Sequence, residues 1–240
     1  MIISEKRKTI KHGNKIYMKN IPRIFIDHEI KTGDTFPADK SVAHYLSHVM
    51  RTNKCIVFGA GREFNAELNA DGKSITVGAD TGRADVVSDV TLYFAPIKRT
   101  DDLIAMATQM GIKRFVPVIT ERTVNHHVNW ARMQKIAIES AEQSNCNSVP
   151  EIAAPIKFDE LNLSSLCFAD ERFAYDFAYG DKVHKKIPTN ANAILVGPEG
   201  GFSDSEFAAL DGAGAVPVSL GKTILRAEVA AVIAIEKIRK

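Results

Sequence analysis

The rhythm of hydrophobic and polar positions changes once along this chain, near residue 89. Before that point short apolar runs alternate with polar residues at the two-residue period of half-buried strands. Arg23–Asp27, Cys55–Phe58, Glu63–Leu68 and Ser74–Val77 are the runs. Gly59-Ala60-Gly61 and Asp71-Gly72 separate the last three, and an Asp-Gly pair between alternating runs predicts a hairpin. One helix is expected, at Val42–Met50. The segment 21–80 therefore reads as a small β-barrel, and the polar stretch 81–88, with Gly82, as a linker.

From Asp89 onward strands alternate with helices. Val90–Ala95, Phe115–Ile119, Leu166–Ala169 and Ala193–Val196 are apolar runs of strand length. Asp101–Met110 places Leu103, Ile104, Ala107 and Met110 on one helical face and ends at Gly111. Asn129–Ser144 does the same with Met133, Ile136, Ala137, Ser140 and Ala141. Ser203-Asp204-Ser205-Glu206 has the spacing of a capping box and opens a helix that ends near Gly212. Val216–Ser219 is a last strand and Ala227–Lys240 a last helix. Such alternation predicts a mainly parallel sheet covered on both faces over residues 89–240.

Two of these strands stop at glycines. Ala193–Val196 runs into Gly197-Pro198-Glu199-Gly200-Gly201, and Val216–Leu220 runs into Gly221, followed by Ile224-Leu225-Arg226-Ala227-Glu228. Strand-to-glycine junctions of this kind mark ligand sites at the carboxyl ends of strands, because glycine reaches positive φ and lets the backbone approach a ligand.

Composition narrows the classes. At 45% hydrophobic and 25% charged residues the chain has the make-up of a soluble globular protein. Cys55, Cys146 and Cys167 are scattered, without CxxC or Cys/His clusters, so neither a disulfide framework nor a zinc or other metal site is expected. The start, MIISEKRKTI, lacks the apolar core of a signal peptide, and no run has transmembrane length. A cytoplasmic protein without membrane contact is the expectation. The net charge of +2 is uneven: residues 1–20 carry six Lys/Arg against Glu5. That basic extension reads either as a nonspecific phosphate-binding arm, as a disordered tail, or as an upstream start with Met18 the natural one.

Familiar cofactor motifs are missing: no GxGxxG follows a strand, and no Walker A or GxSxG sequence occurs. His126-His127 reads as a loop pair, since adjacent side chains diverge. The blocks VGPEGGF (Val196–Phe202) and LGKTILRAEVA (Leu220–Ala230), with Ser203–Glu206, match a family. The chain resembles the SPOUT-class RNA methyltransferases that methylate N3 of a uridine in 16S ribosomal RNA. Thr120-Glu121-Arg122, Lys135–Gln143 and Pro22–Phe25, with His44 and Arg51, extend the resemblance over about residues 20–240. The chain departs from the family at Lys222 or Thr223, where arginine is common, and at Ala227 and Val229, where threonines flank the glutamate. The segment after Arg51 is shortened.

The resemblance implies a PUA-like β-barrel for RNA binding, followed by a SPOUT α/β domain with a C-terminal trefoil knot. It implies S-adenosylmethionine as cofactor, held by Leu195, Gly197, Pro198, Glu199, Gly200, Gly201, Leu220, Gly221, Ile224 and Leu225, at a homodimer interface. The implied substrate is 16S rRNA within the assembled small subunit. Arg226 and Glu228, where the second glycine loop becomes the last helix, are the candidate catalytic pair: a cation to stabilise the N3-deprotonated uridine and a carboxylate to take the proton. An internal Arg226–Glu228 contact that only orders the loop is the alternative. Lys98 and Arg122, and Arg23, Arg51 and Arg62 on the barrel, are candidate RNA contacts, with solvated surface roles as the alternative. Competing functions are methylation of another rRNA or tRNA base, and a non-catalytic RNA-binding assembly factor.

Overall fold

A computed structural model describes residues 21–85, 88–126, 128–174 and 187–239; the basic extension and His127 lie outside the described residues. The chain builds two sheets. The first has five strands: β1 (Arg23–Phe25), β2 (Thr35–Pro37), β3 (Lys54–Gly59), β4 (Arg62–Leu68) and β5 (Ser74–Ala84), in the order β1-β3-β4-β5-β2. β1 pairs parallel with β3, and the remaining pairs are antiparallel. In β4, Phe64, Ala66 and Leu68 point inward while Asn65 and Glu67 face solvent, so the period-2 pattern becomes one buried face. That face packs on Cys55, Val57, Ile75, Val77 and Leu46. The Asp71-Gly72 turn joins β4 to β5, with Gly72 at φ +66.

Two features differ from the sequence reading. β5 runs on from Val77 to Ala84, so the first half of the expected linker is strand; register shifts against β4 let this long strand curl. The expected helix divides into α1 (Lys40–His44), capped by Asp39, and a π-helical turn over Tyr45–Val49.

The second sheet is parallel throughout. Its strands are β6 (Thr91–Phe94), β7 (Arg114–Ile119), β8 (Glu151–Ile152), β10 (Cys167–Ala169), β11 (Ala193–Val196) and β12 (Val216–Val218), in the order β12-β10-β11-β6-β7-β8; β9 (Ile156–Lys157) pairs with the far end of β7. Helices cover both faces. α2 (Thr100–Gln109), α3 (Trp130–Ser144) and α5 (Ala227–Ile238) pack on Leu92, Phe94, Phe115, Ile194 and Val196. α4 (Asp204–Gly212) closes the opposite face, where Phe168, Leu195, Phe202 and Leu210 meet. The capping box of α4 is formed as its sequence predicts: Ser203 Oγ accepts from Glu206 N, and the Glu206 carboxylate accepts from Ser203 N at 2.9 Å. No described helix is long and apolar enough to cross a membrane.

The two sheets meet where α3 contacts β1. Glu142, on the last turns of α3, is half-buried there. Burial pushes its carboxyl up to about 7, aided by repulsion from Glu139 and opposed by the Phe25 amide and Arg23. A carboxyl whose folded pKa exceeds its ordinary 4.5 binds its proton more tightly in the folded state. Its stabilising contribution is therefore present below about pH 4.5 and lost as the pH rises through about 7. Glu142→Gln, which keeps an acceptor for the Phe25 amide, is expected to raise the melting temperature at pH 8. At pH 4.5 the two proteins should melt together, as followed by circular dichroism.

Candidate functional site

Because β12, β10 and β11 are adjacent and parallel, their carboxyl ends open on one edge. The loops that leave them surround a cavity of about 650 Å³. Gly197, Pro198, Glu199, Gly200 and Gly201 form one wall; Leu220, Gly221, Ile224, Leu225, Arg226 and Glu228 form another. Asp170 and Glu171, directly after β10, lie between them. The two glycine blocks, some twenty residues apart in sequence, are thereby brought to one site.

Leu195 is a correction to the sequence reading. It is fully buried on the α4 face of the sheet, against Phe202 and Leu210, and does not line the cavity. Side chains alternate along a strand, so its neighbour Val196 faces the cavity instead. The glycines also differ in their reasons. Gly201 has φ +69, and a Cβ there would lie 2.2 Å from Glu171 Oε1. Gly221 has φ +128 with open space around it. Gly197 has no positive φ, but a Cβ there would press on the Phe202 ring at 3.1 Å. At Gly200 a Cβ would make an ordinary contact with Arg122 at 3.6 Å.

Three braces hold the first glycine loop. Glu199 Oε1 accepts from Lys98 N at 3.0 Å, which ties the loop to the chain after β6. Arg122, at the end of β7, donates from Nη1 to Gly200 O at 3.0 Å and to Phe202 O at 3.1 Å. Glu206, almost fully buried, accepts from Glu121 N at 2.8 Å as well as from Ser203 N. The Thr120-Glu121-Arg122 turn and the Gly197–Glu206 block therefore form one hydrogen-bonded unit.

The candidate pair separates in environment. Arg226 is exposed at the N-cap of α5 and borders the cavity. Glu228, in the first turn, is buried, and its carboxylate pairs with Arg99 Nη1 at 3.8 Å. Arg99 escaped the sequence reading, for it lies more than a hundred residues from Glu228 and belongs to no motif. Glu171 escaped it too; burial raises its carboxyl above the ordinary carboxylate range.

The candidate RNA-contact arginines divide. Arg23 is buried, ion-paired with Glu63 at 2.6 Å and set over the Phe58 ring at 4.5 Å, so it is withdrawn as a surface contact. Arg62 is exposed and pairs with Asp80. Arg51 is exposed, with a left-handed φ of +53. Lys98 is exposed at the cavity rim. Arg122 is exposed, yet its guanidinium is engaged by the glycine loop. His126 is exposed.

Comparison with known proteins assigns this arrangement. A model of the RNA methyltransferase domain matches residues 85–239. The chain belongs to this RNA methyltransferase family. Among curated family members, ribosomal RNA small subunit methyltransferase E of Rickettsia conorii is 32% identical over 209 residues, covering 82% of this chain and 85% of that protein. The protein of the same name from Synechocystis sp. is 32% identical over 213 residues, covering 81% and 69% respectively. A family member solved as a crystal structure, ribosomal RNA small subunit methyltransferase E from Neisseria gonorrhoeae bound to S-adenosyl methionine, superposes with a TM-score of 0.76 at 26% identity. It covers 90% of this chain and 96% of that one.

The joint between the glycine loop and the β7 turn is open to test. Glu206→Ala removes the acceptor of two amides and leaves that of Ser203 buried and that of Glu121 partly buried. It should lower the unfolding free energy by about 2 kcal/mol or more, in the range for orphaned buried donors, as read from urea denaturation.

Proposed function

We propose that the protein uses S-adenosylmethionine to methylate N3 of a uridine in the 16S rRNA of the small ribosomal subunit. The observation that carries this reading is the cavity at the ends of β10, β11 and β12, in a chain of the RNA methyltransferase family. The residues present fit the cofactor. Val196, Leu220, Ile224 and Leu225 offer an apolar wall for an adenine ring, and the backbone of Gly197–Gly201 and Gly221 offers donors and acceptors beside it. Glu171, Glu199 and Glu228 border the same space and would attract a sulfonium and an ammonium group. Gly201 holds a positive φ of +69 beside the Glu171 carboxylate, a backbone conformation that glycine adopts freely and that turns this loop toward the cavity.

When bound, S-adenosylmethionine supplies a methyl group already activated on sulfur. The chain's own task is to align the base and to favour loss of its N3 proton. Deprotonation spreads negative charge onto the two flanking carbonyl oxygens of uracil. In this reading Arg226 stabilises that charge and Glu228 accepts the proton. Arg99 holds the Glu228 carboxylate in place. The deprotonated nitrogen would be the nucleophile toward the methyl group that the bound cofactor would supply.

The reading extends to architecture and partners. We assign the five-stranded sheet to a PUA-like RNA-binding barrel, with Arg51 beside it and Lys98 at the cavity rim among the RNA contacts, and the segment from β11 to α5 to a trefoil knot. A homodimer through the α2–α5 surface is supported by Ile224 at 57% and Val229 at 41% exposure, beside Met106 and Leu225.

Nucleoside mass spectrometry of small-subunit rRNA, from cells with and without the gene, tests the function. Loss of 3-methyluridine is expected; loss of a different methylated base overturns the uridine assignment, and no change overturns methylation. Arg226→Ala should lower turnover about 10²–10³-fold, the usual effect of losing one electrostatic partner, with little change in cofactor affinity by calorimetry. Gly201→Val should abolish cofactor binding in a folded protein. Equal losses of affinity and turnover in Arg226→Ala would make it a loop-ordering residue. Light scattering should give twice the 26.4 kDa chain mass; an active monomer would exclude the dimer.

A further inference from the structure

The polar cluster between the two sheets is larger than the proposed chemistry requires. At its centre is Asn147, fully buried, in the turn that follows α3. Among the described residues, its partners belong to the first sheet or the strand end leaving it. Arg23 Nη2 donates to Asn147 Oδ1 at 2.5 Å, and Gly61 N donates to Asn147 O at 2.9 Å. The Asn147 amide donates to the Asp85 carboxylate, and its side-chain nitrogen reaches Arg83 O at 3.5 Å.

Around this residue the charges interlock. Glu63, buried on β4, receives Arg23 at 2.6 Å and Arg83 at 3.1 Å on the same oxygen, Oε2. Each of these arginines also reaches across to the end of α3: Arg23 donates to Cys146 O at 3.1 Å, and Arg83 to Asn145 O. Asn145 has a left-handed φ of +58, which ends the helix. Asn145 O and Cys146 O lie just past the last residue of α3, at the end of the helix that carries partial negative charge, so two guanidinium groups placed there are favourably held. The first sheet thus grips the chain where it leaves a helix of the second. Two arginines fixed to one buried carboxylate do the gripping.

At its other end, α3 begins directly after the loop that carries Thr120-Glu121-Arg122, the turn that braces the glycine loop of the cavity. The helix has 15 residues, which at helical rise makes a strut about 22 Å long. We propose that α3 is a rigid spacer between the first sheet and the cavity, and that Arg23, Glu63 and Asn147 are positioning residues for the RNA substrate. They fix the sheet that holds RNA at a set distance and angle from the cofactor loop. Substrate alignment, and not cofactor binding, is what they control. The proposal rests on the RNA methyltransferase reading. Its physical basis is that a misplacement of about 1 Å, even by a change far from the chemistry, costs on the order of 10²-fold in rate.

The test uses the full chain with two substitutions. Asn147→Leu keeps the branched four-heavy-atom side-chain skeleton and removes the Arg23 acceptor; Arg23→Lys keeps the charge but loses the planar fork. Both should bind S-adenosylmethionine within about twofold of the wild type by calorimetry, since the cavity walls are untouched. Both should lose kcat toward small subunits by about 10- to 100-fold, with a smaller change in KM. Circular dichroism at 25 °C must match the wild type, so that the loss belongs to folded protein. Unchanged kcat in folded variants overturns the proposal, as does a matching loss of cofactor affinity. A readout independent of activity separates this proposal from the function itself. Scanning calorimetry should show one unfolding transition for the wild type and two for Asn147→Leu, as the sheets uncouple. A single transition in the variant overturns the spacer even if the protein methylates RNA. Two transitions support it even if the substrate proves to be another.

Discussion

The parallel pairing of β10 with both of its neighbours is the constraint on which the rest depends. A parallel strand cannot return by a tight turn, so each connection must cross a face of the sheet. With β11 on one side of β10 and β12 on the other, the chain leaves β11, packs α4 on one face and re-enters beyond β10. It then crosses to the opposite face as α5. The three strand ends this brings together place Gly197–Gly201, Asp170-Glu171 and Leu220–Glu228 around one cavity. Hydrogen bonding within the sheet thereby decides which residues the site contains.

Around that site, and at the joint between the two sheets, cations hold loops as much as they face solvent. Arg122 is tied to two carbonyls of the glycine loop, Arg99 to Glu228, and Arg23 to Glu63 and the α3 terminus. A guanidinium suits this work because its fixed fork addresses two acceptors at once. In the first sheet the same use leaves Arg51 with an exposed guanidinium, while Arg62 shares its charge with Asp80.

Much of the fold was legible because its signals are local. The strand and helix rhythm, the Asp71-Gly72 hairpin, the Ser203–Glu206 capping box and the two strand-to-glycine junctions each need only neighbouring residues to be read. What escaped depends on distance or on brevity. β2, β8 and β9 have two or three residues each and no periodicity to detect. The extension of β5 to Ala84 depends on bulged pairing with β4, which polar residues 81–84 do not announce. At the site, the Leu195 assignment failed by one residue: strand alternation turned it to the α4 face and Val196 to the cavity. Arg23 looked like a surface cation because only the fold supplies Glu63 and Asn147, the latter 124 residues away. Arg99 and Glu171 carry no motif at all, and only the meeting of strand ends brings them to the cavity.

One wall of the cavity has a second side. Arg99, Leu225, Arg226 and Glu228 border both the cavity and a shallow hollow on the α2–α5 surface. The partition between them is a single layer of side chains. Arg99 is more than half exposed where it borders these two spaces, while Glu228 is buried. Coulomb attraction at a fixed separation grows as the surrounding dielectric falls. Anything that covers the outer hollow and expels its water therefore tightens the Arg99–Glu228 pair without moving either residue. The electrostatics of the inner chamber are in this way set partly by what rests against the outside of the molecule.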